Sequence, residues 1–230
     1  VLPLSRIVAK SETVDEQWRS PVADAVAASY GVPAGSGGFW RSSARHVFGV
    51  PAEGSRPDAY LRFAPAELTA RADDLAVATL MQRLSARGLG CVAVVPSATG
   101  NLVATVSTDL GVMNAVMVTE GAGSPLDADE LTREQAVAWG ASLARVHREG
   151  SVLAADVELP DGARRSDRVL DLLAPGELGP VVEVLRSRLR DVPRTAATYG
   201  LVHGDFELDN IAWSGGVATA YDWDEAEVSW

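Results

Sequence analysis

A pair of glycines between two short strand-like runs constrains the fold of this chain more than any other feature of its sequence. The runs cover residues 211–213 and 218–221, and Gly215-Gly216 lies between them. This pattern predicts a β-hairpin, because glycine adopts the positive φ angles of tight turns without a steric penalty. A hairpin closed here places Asn210, before the first strand, opposite Asp222, after the second strand. The sequence thus predicts that an amide and a carboxylate converge on one point.

The residues around this hairpin are those that phosphoryl transfer to an alcohol requires. The reaction needs one carboxylate near the incoming hydroxyl, and an amide and a second carboxylate that hold magnesium on the nucleotide phosphates. Asp205, Asn210 and Asp222 supply these groups in the order and approximate spacing that protein kinases use. The tripeptide His203-Gly204-Asp205 alone is a weak signal, but its combination with Asn210, a hairpin and an Asp-Trp pair is much more specific.

Two segments carry a resemblance to a known family. Residues 201–210 (Leu-Val-His-Gly-Asp-Phe-Glu-Leu-Asp-Asn) resemble the catalytic loop of the aminoglycoside phosphotransferase and choline kinase family, which includes the type II homoserine kinases. Members of that family have His-Gly-Asp where most protein kinases have His-Arg-Asp. Residues 221–224 (Tyr-Asp-Trp-Asp) resemble the family's metal-binding motif. The resemblance implies a bilobal, protein-kinase-like fold that binds ATP and Mg²⁺ between its lobes.

The resemblance also implies a role for each residue of the loop. Asp205 is expected to be the catalytic base, and Asn210 and Asp222 are expected to be the magnesium ligands. Through the metal, Asn210 also belongs to the predicted nucleotide-binding residues. His203 is placed in the same nucleotide site, as a residue that holds the loop and takes no part in the chemistry.

Arg62 is the cation predicted to bind the nucleotide phosphates. Lys10, the only lysine of the chain, lies too early in the sequence to occupy the third strand. Residues 60–63 read Tyr-Leu-Arg-Phe, and members of the family often have arginine in such a Leu-Arg-Phe context. Strand alternation puts Leu61 and Phe63 on one face and Arg62 on the other. A solvent-exposed arginine on a strand face remains the alternative.

Two further parts of a nucleotide site are less distinct in the sequence. The glycine-rich loop over the phosphates has one candidate, residues 35–38 (Gly-Ser-Gly-Gly), a composition that is more typical of a flexible loop. The helix carboxylate that should pair with the strand cation is expected near Val77. Asp73 and Asp74 lie about one turn earlier, and either could reach Arg62.

The adenine site is predicted from a strand that leads into a hinge. Residues 115–121 (Ala-Val-Met-Val-Thr-Glu-Gly) resemble the strand that joins the two lobes in this family. The backbone of Glu120 and Gly121 is expected to bind the edge of the adenine ring, whatever the side chains are. A plain core strand is compatible with the same pattern.

The pattern of apolar residues divides near residue 120 and predicts the α+β class. Residues 1–120 are predicted to form a nucleotide-binding lobe, an antiparallel sheet with its main helix over residues 66–86. Residues 121–230 are predicted to form a catalytic lobe that is mainly helical up to the hairpin. The resemblance implies further helices after the metal-binding motif, so this lobe is expected to be cut short.

Three helical predictions belong to the catalytic lobe. A capping box of Thr132 and Gln135 is predicted to open a helix that stops at Gly150. A second helix is predicted over residues 178–192, and residues 156–168 between the two helices are predicted to form a loop. The buried faces are predicted as Ala136, Gly140, Leu143, Ala144 and His147 for the first helix, and Val181, Leu185 and Leu189 for the second.

Composition and charge narrow the class of protein. The net charge of −11 argues against a nucleic-acid partner, which would require a basic surface. No apolar run approaches the roughly 20 residues that span a bilayer, and the first residues lack the features of a signal peptide. A lone cysteine, Cys91, excludes an internal disulfide and is typical of a reducing compartment. The sequence therefore predicts a cytoplasmic enzyme without a membrane or nucleic-acid partner.

Together these features predict an ATP-dependent phosphotransferase. Its acceptor is expected to be a small hydroxyl compound that carries an amine, such as an aminoglycoside, a homoserine-like amino alcohol or choline. Two alternatives stay open. The first is a pseudokinase that binds a nucleotide or a partner without turnover, and the second is a kinase of the same fold that phosphorylates serine or threonine in proteins.

Overall fold

An antiparallel sheet forms most of the amino-terminal half. The computed structural model describes residues 1–230. The strand order is β1-β2-β3-β6-β4, with β5 paired to the free part of β6. The strands are β1 Gly38–Ser42, β2 His46–Val50, β3 Ala59–Pro65, β4 Val94–Val95, β5 Ala104–Thr108 and β6 Gly111–Thr119.

Along the sequence, two helices precede this sheet, one lies between β3 and β4, and four follow β6. They are α1 Leu4–Ser11, α2 Pro21–Ala28, α3 Arg71–Ala86, α4 Arg133–Arg145, α5 Ser151–Ala154, α6 Gly162–Leu173 and α7 Gly179–Asp191. Two small antiparallel pairs complete the chain, β7 Gly200–Val202 with β10 Glu227–Ser229, and β8 Ile211–Ser214 with β9 Val217–Ala220. None of the helices has the length and apolar character needed to cross a membrane. The predicted bilobal α+β class is confirmed.

Strand β3 places its side chains as alternation predicts. Leu61 and Phe63 are fully buried in the core that α2 shares with the sheet. Tyr60 and Arg62 point to the opposite face, where Tyr60 packs on a second core and Arg62 faces acidic residues of the carboxy-terminal half. The alternation therefore separates a purely structural face of the strand from a face that borders the cleft.

The second core joins the two halves of the chain. It packs Leu80 and Leu84 of α3 with Leu201 of β7 and the fully buried Trp223. Because this core is continuous across the two halves, the division at residue 120 stays a prediction.

Helix α3 differs from its prediction in its start and in its buried face. It begins at Arg71 instead of residue 66, because Ala66 still pairs with β6 through a hydrogen bond to the Val112 carbonyl. Leu75 is exposed although it is one of the apolar residues of this helix. The buried face instead includes Asp74, so the helix turns a carboxylate toward the cleft.

The first helix of the catalytic lobe also buries a different face. The capping box of Thr132 and Gln135 is confirmed, but His147 is exposed and the prediction of a core histidine is wrong. Trp139 and Val146 face the protein instead, because Trp139 packs on the β8–β9 hairpin and Val146 enters the continuous core. The other members of the predicted buried face also lie outside the core, exposed or partly so: Ala136, Gly140, Leu143 and Ala144.

Gly150 does not end this helix. A π-helical turn at residues 146–150 continues directly into α5. A Cβ at Gly150 would lie 2.8 Å from a methyl group of Leu201, so glycine is required here to let β7 approach. The close packing against β7 therefore explains this glycine, which does not mark a helix terminus.

Two predictions further along the lobe are corrected as well. Residues 162–168, assigned to a loop, belong to α6, which begins at Gly162 and is capped by the Asp161 side chain. In α7, Val181 and Leu185 are exposed and Val182 is buried. Arg186 of the same helix is largely buried, and three exposed carboxylates surround it: Asp167, Asp171 and Glu183.

Candidate active site

The hairpin brings Asn210 and Asp222 together as its sequence predicts. Gly215 and Gly216 both have positive φ, at 56° and 81°, which closes the turn between β8 and β9. The Tyr221 amide donates to the Asn210 carbonyl at 3.0 Å. Because this bond joins the two ends of the hairpin, Asn210 lies next to the segment that carries Asp222.

Asp205 is held next to Asn210. The Asn210 Nδ2 donates to Asp205 twice, to the Oδ2 atom at 2.8 Å and to the backbone carbonyl at 3.0 Å. Since both bonds use the amide nitrogen, Asn210 Oδ1 remains available as an acceptor or as a metal ligand. Asp205 is partly exposed at the cleft, where an acceptor hydroxyl could reach it.

His203 connects the catalytic loop to the hairpin. Its Nε2 lies 3.1 Å from the Tyr221 carbonyl, and its Nδ1 accepts from the Asp205 amide at 3.3 Å. These contacts require a proton on Nε2 and none on Nδ1. Burial lowers the pKa of His203 to about 4, so the ring is neutral at physiological pH. The centroids of the His203 and Trp223 rings lie 4.4 Å apart, and this packing fixes the orientation of the imidazole.

Gly204 has no room for a side chain. Its φ is +88°, and a Cβ would lie 2.4 Å from the Glu225 carbonyl oxygen. A left-handed conformation and a close backbone contact both require glycine. The glycine of the His-Gly-Asp sequence is thus explained by the close approach of the loop to the segment after β9.

A compact network of arginines and carboxylates lies above the loop. Arg62 Nη2 binds Asp222 Oδ1 at 2.6 Å and Asp224 Oδ2 at 2.9 Å. Arg45 binds the same Asp224 oxygen at 2.8 Å and Asp74 at 2.6 Å. Burial alone would raise the pKa of Asp224, but the positive charges of Arg62 and Arg45 outweigh burial and lower it. Asp224 is therefore ionised at neutral pH.

The helix carboxylate is Asp74, but its partner is not the expected one. Asp74 is almost fully buried and pairs with Arg45, not with Arg62. Asp73 is exposed and contributes nothing to the network. Arg45 directly precedes β2, and its pKa is raised by Asp224 and Asp74 against the opposing effect of burial. Arg45 thus connects α3 to the segment after the hairpin.

The strand-to-strand turn contains arginines instead of glycines. The predicted glycine candidate, residues 35–38, mostly precedes β1. The end of β1 and the turn into β2 read Arg41-Ser-Ser-Ala-Arg45, with Arg41 in the strand and Arg45 in the turn. Arg41 binds Asp222 Oδ2 at 3.0 Å. Sequence reasoning missed both arginines of this turn. No sequence signal singles them out, because their carboxylate partners lie in distant segments of the chain.

The donor set at the hairpin fits a magnesium ion. Mg²⁺ is usually held by one or two carboxylates, water and substrate phosphates, and not by a cage of protein ligands. Asp222 offers a carboxylate, and the free Oδ1 of Asn210 offers a neutral oxygen beside it. No group of three or more His, Cys, Asp or Glu side chains is placed to hold a metal alone. The chain therefore supplies part of a coordination shell, which nucleotide phosphates would complete.

The hinge strand leaves backbone groups free at its end. The Glu120 amide donates to the Asp58 carbonyl at 2.9 Å, so it is not available to a ligand. The Glu120 carbonyl and the amides of Gly121 and Ala122 make no backbone hydrogen bond. The backbone groups that are free to bind the edge of an adenine ring are therefore the carbonyl of Glu120 and the amides of Gly121 and Ala122.

These observations define a class of protein and then a family. The sheet with its crossing helix, the hinge strand and the loop–hairpin pair form a bilobal, protein-kinase-like fold. Residues 42–230 match the model of the phosphotransferase enzyme family, and the chain belongs to that family. As a member of that family it is a phosphotransferase enzyme.

Solved structures share the fold at low sequence identity. An amicoumacin kinase, solved with AMP-PNP, Ca²⁺ and Ami, is similar with a TM-score of 0.78 and 18% identity, over 96% of this chain and 67% of that one. A microcompartment-associated aminopropanol kinase has a TM-score of 0.65 and 19% identity, over 91% and 70%. The macrolide 2′-phosphotransferase from Brachybacterium faecium has a TM-score of 0.55 and 18% identity, over 90% and 72%. A search of curated proteins finds no match.

Proposed function

We propose that this protein transfers the γ-phosphoryl group of ATP to a hydroxyl of a small, amine-bearing molecule. The observation that carries the proposal is the convergence of Asp205, Asn210 and Asp222 on one side of the cleft, with Arg62 on the other. Phosphoryl transfer depends on positioning and on cations near the phosphates, and these four residues supply both. The proposed site lies between the two halves, in the cytoplasm.

Asp205 is assigned the role of the catalytic base. Its carboxylate is oriented by Asn210 Nδ2, and its backbone amide is held by His203. In this position Asp205 orients the acceptor hydroxyl and accepts its proton as the phosphoryl group transfers in line. When bound, Mg²⁺ would neutralise phosphate charge, with Asn210 Oδ1 and Asp222 as its protein ligands. Arg62 would bind the phosphates from above.

Charge on the catalytic loop supports an amine-bearing acceptor. Glu207 and Asp209 follow Asp205 in the same loop, are exposed, and form no ion pair. Two free carboxylates beside the base favour a cationic molecule at the acceptor position. The name of the similar aminopropanol kinase indicates an acceptor of this kind for that protein.

The first test separates chemistry from binding. Asp205→Asn should lower kcat by about 10²–10⁴-fold, because the base is lost. Its affinity for Mg²⁺-ATP, measured by calorimetry, should change by less than about threefold, since Asp205 is not assigned to the phosphates. Asp222→Ala should instead abolish the magnesium-dependent part of ATP binding.

Asp209→Asn is the matched control on the same loop. Its side chain is exposed, so kcat should be retained, and only the KM of a cationic acceptor should rise. Turnover should be measured with amino alcohols, aminoglycosides and neutral alcohols, and with a peptide array. Phosphorylation of peptides alone would replace the small-molecule proposal by the protein-kinase alternative. No turnover with any acceptor, despite tight Mg²⁺-ATP binding, would support the pseudokinase.

A further inference from the structure

The carboxylate of Asp222 is held between two arginines. Arg62 binds its Oδ1 atom at 2.6 Å, and Arg41 binds its Oδ2 atom at 3.0 Å. Both oxygens that a metal would use therefore already accept a hydrogen bond from a guanidinium group. A divalent cation at Asp222 would have to compete with two positive charges.

The two arginines differ in how firmly they are held. Arg62 is largely buried and also binds Asp224, so its Nη2 is held by two carboxylates while its other N–H groups are left for the phosphates. Arg41 has Asp222 as its one carboxylate partner, and about half of its side chain is exposed, at 49%. An exposed pair of this kind is easily exchanged for another partner. Arg62 and Arg41 together form a clamp on the Asp222 carboxylate, and Arg41 is its movable half.

The backbone that carries Arg41 is firmly placed over the cleft. The pairing of β1 with β2 shifts register between Phe39 and Arg41, and such an irregularity redirects a side chain. The turn that follows is pinned, because the Ser43 carbonyl accepts from the Leu2 amide at 2.8 Å. Arg41 can therefore change partner by a rotation of its side chain alone.

We propose that Arg41 moves from Asp222 to the phosphates when a nucleoside di- or triphosphate binds, and that Asp222 is released for the metal only then. A guanidinium binds phosphate through a planar pair of donors, and the phosphates carry more negative charge than one carboxylate. Nucleotide and metal consequently bind as a coupled pair. This inference rests on the proposed function, because it takes the metal and phosphate positions from it.

The test measures binding, not turnover. Mn²⁺ alone is titrated into the nucleotide-free chain and followed by electron paramagnetic resonance, and ADP is titrated by calorimetry with and without Mg²⁺. In Arg41→Gln, Mn²⁺ alone should bind about tenfold tighter, because one competing cation is gone. The gain in ADP affinity on adding Mg²⁺ should shrink by a similar factor, since coupling between two ligands is reciprocal.

Two comparison variants make these changes specific. Arg41→Lys keeps the charge and should return the Mn²⁺ affinity toward the wild-type value, which also covers the case in which Arg41→Gln is poorly folded. Arg6→Gln removes an exposed arginine that pairs with Glu67 on another part of the surface, and it should leave both measurements unchanged.

The outcomes separate this inference from the proposed function. Unchanged Mn²⁺ affinity and unchanged coupling in Arg41→Gln, with normal Mg²⁺-ADP binding by the wild type, would overturn the clamp and leave the proposed function standing. An equal loss of ADP affinity with and without Mg²⁺ would also overturn it, because Arg41 would then bind phosphate without controlling the metal. A wild-type chain that binds no nucleotide under any condition would overturn both.

Discussion

Removal of the Asp74 carboxylate should destabilise the protein much more than removal of its neighbour Asp73. Asp74 and Arg45 form a buried ion pair at 2.6 Å, with 3% and 11% of their side chains exposed. Asp74→Ala leaves a buried guanidinium without one of its two carboxylates, since Arg45 keeps only Asp224. The pair also connects α3 to the β1–β2 turn, so its loss affects the geometry above the catalytic loop.

The magnitude follows from the burial of the pair. Breaking a buried ion pair by removing one partner costs about 3–5 kcal/mol, and the retained contact to Asp224 favours the lower end, about 3 kcal/mol. In a chain of this size, 1 kcal/mol corresponds to roughly 2–4 °C in Tm, so the expected decrease is about 6–12 °C. Asp73→Ala removes an exposed charge from the same first helical turn and should cost about 1 kcal/mol or less.

Urea unfolding and thermal melts of the two variants provide the measurement. Both substitutions remove a carboxylate near the amino terminus of α3 and introduce the same alanine, so their difference isolates the buried pair. A difference of about 2 kcal/mol or more is expected. If the two free energies of unfolding agree within about 0.5 kcal/mol, the Arg45–Asp74 pair contributes no net stability and the reasoning from burial is wrong.

Three further predictions concern other parts of the chain. Gly204→Ala should lower kcat on the order of 10²-fold, because its Cβ would displace the catalytic loop from the Glu225 carbonyl; unchanged kinetics would refute the contact. Lys10 is fully buried over Phe48, and burial lowers its pKa from 10.5 to about 8. The charged ammonium of Lys10 therefore disfavours folding at neutral pH. Lys10→Met should therefore be more stable than the wild type by roughly 2–3 kcal/mol at pH 7, and urea titrations should show this advantage vanish as the pH rises from about 8 to 10.5, where the unfolded lysine also loses its proton. Asp161→Ala should cost about 1 kcal/mol in urea unfolding, since Asp161 caps α6; a neutral result would contradict that role.

Local signals in the sequence were sufficient for the hairpin and for the loop that precedes it. Gly215 and Gly216 specify a turn by their own backbone freedom, and the turn alone sets Asn210 against Asp222. The two faces of β3 follow in the same way from alternation along one strand. These predictions depend on short stretches of chain, in which each residue contacts its near neighbours.

The partners of the charged residues could not be predicted from the sequence. Asp74 is one of two candidate carboxylates in the sequence, with Arg62 as the expected partner, but in the structure it pairs with Arg45 from the turn after β1. Nothing in the sequence singles out Arg41, although it binds Asp222 directly. Each of these pairs joins segments that are distant in sequence, so only the packing of the sheet on α3 and the hairpin brings them together.

The buried faces of the helices illustrate the same limit. In the helix predicted up to Gly150, the apolar residues fit two faces. One face includes His147 and the other includes Trp139. The sequence by itself determined the class, the family resemblance and the residues of the catalytic loop and hairpin, because these are written in local spacing. Only the tertiary structure decided which face is buried and which arginine holds which carboxylate, because burial and charge pairing depend on surfaces that meet only after the chain has folded.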